Sequence, residues 1–95
     1  MPIDEASKNL LHSMIDRAIQ EVIPNRLEQA AMRRIDMDIK DVPHFVYGGI
    51  VADIIYQFGD YYENKLKKEL SIDDMTDVWA IIIQRSKDIR KGIFG

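Results

Sequence analysis

HFVYGGIVADIIYQFGDYYENKLKKEL, residues 44–70, is apolar through its middle and polar along one narrow strip. Val46, Ile50, Val51, Ile54, Ile55, Phe58 and Tyr62 recur at steps of three and four, the interval at which side chains return to one face of an α-helix. Asp53, Gln57, Asp60 and Asn64 fall on the other side at the same interval. An apolar arc this wide exceeds that of an ordinary surface helix. A central helix over about 43–70 is therefore expected, covered by other elements around most of its girth.

The ends of that helix are legible. Asp41 can cap it, and Pro43 falls in the first turn, where a missing N–H costs nothing. Lys65, Lys67 and Lys68 suit the negative end of the helix dipole. Gly48, Gly49 and Gly59 each weaken a helix by about 1 kcal/mol relative to Ala. Gly49 with Ala52 is read as a place where a second backbone comes close, and a bend near Gly48–Gly49 is the other reading.

Outward from there, the chain reads as helices on both sides. Asp4 or Ser7 can cap a first helix running to Val22, with Leu11, Ile15, Ala18, Ile19 and Val22 as its apolar stripe. Pro24 pushes the preceding residue out of helical conformation, so this helix is expected to end or kink near Ile23. Asn25 and Glu28 have capping-box spacing and would open a second helix carrying Leu27, Ala30 and Ala31. Residues 34–42 alternate polar and apolar with the strand period of two, giving a possible short extended segment at 35–42. No second strand is visible to pair with it, so a connector is preferred and a strand pair across a dimer is the alternative. Ser71 and Asp74 form a capping box for a last helix that runs to about Lys91, with Leu70 and Met75 as its hydrophobic staple and Gly92 as its C-cap. The fold class is thus all-α: four helices with a long central one, in a single helical domain spanning residues 1–95.

Composition bounds the function. The net charge is −3 and there is no cysteine. Disulfides, zinc–thiolate sites and cysteine nucleophiles are excluded, and non-specific nucleic-acid binding lacks the excess of Lys and Arg it needs. The opening MPIDEASKN is polar and acidic. The apolar runs fall short of the ~20 residues of a membrane span, so a cytoplasmic protein without membrane contact is expected.

No constellation points to catalysis. His12 and Asp16 stand four apart, a spacing that could hold a metal or orient an imidazole, but a solvated helix pair is the simpler reading. His44 is read as a capping or surface residue. The acids at 36, 38 and 41 lack the glycine and glutamate of a calcium loop. Asp53, Tyr56, Gln57 and Asp60 form a polar stripe, the best place for acid–base chemistry, yet no base, nucleophile or phosphate loop accompanies it. No catalytic residue, metal or cofactor is expected.

The run Val78-Trp79-Ala80-Ile81-Ile82-Ile83 covers more than half the circumference of a helix. A chain of about this size buries only some 60–65% of its unfolded surface and gains from a partner. Tyr61, Trp79, Ile81, Ile82 and Ile83 are therefore the candidate interface residues, Tyr and Trp being enriched at interface centres. The expected function is a non-enzymatic interaction or assembly module whose partner is itself, as a two-fold dimer or larger oligomer, or another protein.

Two alternatives stand beside it. The helical order, with 26–35 as a short first helix, 43–70 as the long one and 71–91 as the last, is similar to a histone-like plan. That resemblance implies association with nucleic acid through Arg33, Arg34, Lys65, Lys67 and Lys68. The other alternative is a small helical ligand-binding protein or enzyme using the stripe from Asp53 to Asp60.

Overall fold

The computed structural model describes residues 3–95, all helix, turn and connector. Helix α1 spans Glu5–Arg17, α2 Ile23–Arg33, α3 Val42–Asn64 and α4 Ile72–Phe94. The chain is all-α, as its periodicity predicts. The first two helices are not separate, however. A π-helical turn, Ala18–Val22, joins them end to end, with the Ile23 N–H bonded to Ala18 O. Residues 5–33 form one rod of about 43 Å, which sets the 44 Å long axis of a molecule only 24 × 20 Å across.

The π turn solves two problems at once. Pro24 cannot donate to Gln20 O, and its ring would crowd that carbonyl in a regular α-helix. Widening the preceding turn by one residue accommodates the ring without a break. The buried positions of the rod are Ser7, Leu11, Ile15 and Ala18, then Ile23 and Ala30. The step from Ala18 to Ile23 is five, so the added residue also restores the phase of the buried face. Asn25 and Glu28 accordingly cap nothing: α2 has no side-chain cap.

Three of the expected N-terminal caps are made, at Asp4, Asp41 and Ser71. Asp4 Oδ1 accepts from the Ser7 N–H at 2.7 Å, and Asp41 Oδ1 from the His44 N–H at 3.1 Å. Ser71 and Asp74 close a reciprocal box, at 3.1 Å for Asp74 N–H to Ser71 Oγ and 3.0 Å for Ser71 N–H to Asp74 Oδ2.

Residues 34–42 are not a strand. The Asp38 N–H bonds to Ile35 O and the Ile39 N–H to Arg34 O, with Asp38 at φ 54°. This is a Schellman termination with an aspartate in the left-handed position that glycine usually takes. Ile39 tucks against the core, while Ile35 and Met37 face water.

The ends of α3 and α4 also shift. The central helix stops at Asn64, six residues short of expectation; Lys67 takes φ 56° and the chain turns so that Leu66 and Leu70 pack on the core. The Leu70 Cδ1 lies 3.5 Å from where a Gly59 Cβ would stand. α4 runs on through Gly92 to Phe94. Gly92 is not a cap but a contact point, since an added Cβ would lie 3.3 Å from Ile19 Cγ2 and 3.4 Å from Ile23 Cδ1. Gly49 shows the opposite: an added Cβ would meet nothing within 4 Å, and Ala52 is exposed, so no backbone approaches there.

The three rods run up, down and up around one core of Leu11, Ile15, Ile50, Phe58, Val78 and Ile89. The Phe94 and His44 rings meet at 4.9 Å, placing the end of α4 beside the start of α3. Gly92 packs on the π turn, so α4 reaches only as far as the rod's middle. The second half of α2 packs against the first turns of α3.

Candidate functional site

The outward face of α4 carries an apolar stripe without cover. Ile72, Met75, Trp79 and Ile83 recur at three, four and four, one stripe along the helix. Ile72 is 86% exposed, Ile83 67% and Trp79 44%. Leu70 and Ser71 rim the near end, making a shallow trough of about 540 Å³ with Thr76 and Ala80. The same helix buries Val78, Ile81, Ile82 and Ile89 against α1 and α3. Isoleucines 81 and 82 therefore belong to the chain's own core, while Trp79 and Ile83 point away from it. Tyr61 lies between these cases, half-covered, with its ring 6.3 Å from that of the buried Phe58.

The polar stripe of α3 does not converge into a reaction centre. Tyr56, Gln57 and Asp60 face solvent. Asp60 accepts from Asn64 Nδ2. Asp53 alone meets another element: the Arg26 guanidinium touches its Oδ2, out of line for a hydrogen bond, so the contact is a charge pair. No second carboxylate among the described residues shares the position.

His12 and Asp16 are joined, but by a guanidinium. Arg85 reaches from α4 to donate to His12 Nδ1 at 3.0 Å and to Asp16 Oδ1, while its Nε donates to Asp88 Oδ2 at 2.9 Å. Its bond to Asp16 comes first among the causes that raise the Arg85 pKa. With 18% of the Arg85 side chain exposed, this is an interhelical clamp. His44 is exposed, with its Nδ1 2.8 Å from Oδ2 of Asp41, the residue that caps α3. Among the described residues no group of three His, Asp or Glu side chains could hold a metal.

The basic residues of the histone-like comparison part company. Arg33 and Arg34 lie by the start of α3, and Lys65, Lys67 and Lys68 follow its end, about 30 Å away along the helix. The short first helix of that plan is here the continuation of a longer rod. No described helix is long and apolar enough to cross a membrane.

Sequence reasoning missed a second recess. Helix α2 and the first turns of α3 enclose a cleft of about 320 Å³. The buried Ala30 and Val46 and the half-buried Ile39 line it together with the exposed Met37 and Phe45 and with Gly49. Arg26 and Arg33 are its charged lining, with no acid among the lining residues. The apolar, exposed Met37 and Phe45 were a signal, masked by the alternation that made 34–42 look like a strand. No protein family, curated protein or solved structure matches the chain.

Proposed function

We infer that the protein is a non-enzymatic assembly module that associates with copies of itself through the outward face of α4. The observation that carries this reading is the stripe Ile72–Met75–Trp79–Ile83, continuous, apolar and uncovered on a helix whose other face is already satisfied by the core. Exposed apolar patches of this kind mark interaction sites, and a half-exposed tryptophan at the centre of one is the usual energetic anchor. The absence of converging acid–base groups around Asp53 favours binding over chemistry.

Sedimentation velocity across a micromolar concentration series tests it. The wild-type chain is expected to associate. Trp79→Ala should weaken association by about 2 kcal/mol, roughly thirtyfold, while keeping the helical circular dichroism of the wild type. A wild-type chain that stays monomeric throughout the series ends the reading.

A further inference from the structure

We propose that the α2–α3 cleft binds a small amphiphile made of an apolar body and a single carboxylate. The inference does not depend on self-association, since no residue lines both the cleft and the α4 stripe. At about 320 Å³ the cleft falls at the small end of the roughly 300–1,000 Å³ that ligand sites occupy. Its apolar share is Ala30, Ile39 and Val46, which belong to the core or pack on it, and Met37 and Phe45, which the chain leaves exposed. An apolar body seated there shields those two side chains from water, which favours binding in proportion to the area covered.

The charge comes from one residue. Arg26 also lines the cleft, but its guanidinium is paired with Asp53. Arg33 has no ion-pair partner among the described residues. Its Nη1 donates to Gln29 Oε1 and to Gln29 O, which anchors the guanidinium to the preceding turn. Its Nε and Nη2 make no bond among the described residues. Those two nitrogens form one edge of the planar fork, and that edge matches the two oxygens of a carboxylate. No acid lines the cleft to take it. One carboxylate balances the one unpaired guanidinium, whereas the second charge of a phosphate would meet no free cation among the lining residues, because Arg26 is taken.

Titration of the full chain with decanoate, decanol and decyltrimethylammonium, followed by amide nuclear magnetic resonance, tests it. Decanoate should bind saturably, one per chain, with its largest shifts at the Gly49 and Phe45 amides. It should bind about tenfold more tightly than decanol, the worth of a charge-assisted hydrogen bond. Arg33→Gln should lose that tenfold towards decanoate and leave decanol unchanged; a merely structural role for Arg33 would move both alike. Gly49→Leu adds a side chain at the cleft where nothing lies within 4 Å of the new Cβ, so it should keep the helical circular dichroism and weaken decanoate by about tenfold or more. The proposal is overturned if decanoate shows no saturable shifts below its micelle concentration, if its shifts centre on Trp79, or if decyltrimethylammonium binds as well. Cleft signals that move with protein concentration alone would also overturn it, since a second copy would then be the occupant.

Discussion

Glycine at four positions of this chain shows how local space decides the sign of a substitution. Gly48 lies within α3 with nothing within 4 Å of an added Cβ. Gly48→Ala should therefore stabilise the fold by about 1 kcal/mol, the helix-propensity difference, raising the melting temperature by about 4–8 °C. Gly92 is also helical, but a Cβ there would crowd Ile19 of the π turn and Ile23 at the start of α2. Gly92→Leu should destabilise by about 1–3 kcal/mol through overpacking. Thermal denaturation of the two variants side by side checks both signs, and a common sign would contradict the packing described. Gly59 is intermediate, with room for a Cβ in ordinary contact with Leu70, and Gly49 is the open one that the cleft uses.

Among elements, the decisive one is the joined rod. Deleting Gln20, an exposed residue of the π turn, would convert that turn to a regular α-helical one. α2 would then rotate by about 100° relative to α1. Ile23 and Ala30 would leave the core and Pro24 would meet the Gln20 position's carbonyl neighbour head on, at a cost of at least about 3 kcal/mol. The substitution Gln20→Ala should stay within about 0.5 kcal/mol of wild type. Denaturant titration measures the contrast, and equal effects of the two changes would show that the π turn does not set the phase. The same element explains what the sequence conceals. Caps are written in adjacent residues with their own chemistry, so Asp4, Asp41 and the Ser71–Asp74 box are readable directly. A π turn is written only as a spacing of five between Ala18 and Ile23, beside a proline that also signals a helix end. The connector misleads in a similar way, because an aspartate in a glycine's conformation at Asp38 lets a helix terminate on an alternating pattern. Of the candidate interface, a run of six apolar residues reveals that α4 has two apolar faces, but which of Trp79, Ile81, Ile82 and Ile83 belongs to which depends on where α1 and α3 lie.

On the scale of the whole molecule, helix-capping carboxyls with lowered proton affinity stand at both ends. Ser7 and Ser71 N–H groups hold the Asp4 and Asp74 carboxyls below the ordinary value of 3.8, with the charge of Lys68 helping both, and the His44 N–H does the same for Asp41. Burial first, and then the nearby Asp74 and Asp4, push the Tyr62 hydroxyl above its ordinary 10.0. A lowered carboxyl binds its proton less readily folded than unfolded, so its contribution is complete above pH 3.8 and is lost as pH falls through the lowered value. A raised tyrosine contributes fully below pH 10.0 and loses that contribution as pH climbs through its folded value. Stability against denaturant should accordingly form a plateau between roughly pH 5 and 9 and decline on both sides. Loss of the acid limb's steepness in a variant with Asp41→Asn and Asp74→Asn would identify the caps as its source, and an unchanged limb would assign it elsewhere.

Trp79 is the chain's single tryptophan, and it stands on the uncovered face of α4. Its indole is therefore a built-in optical gauge of that surface. Wet, it emits towards the red; shielded by whatever occupies the stripe, it shifts towards the blue, so the unlabelled protein reports its own occupancy on dilution.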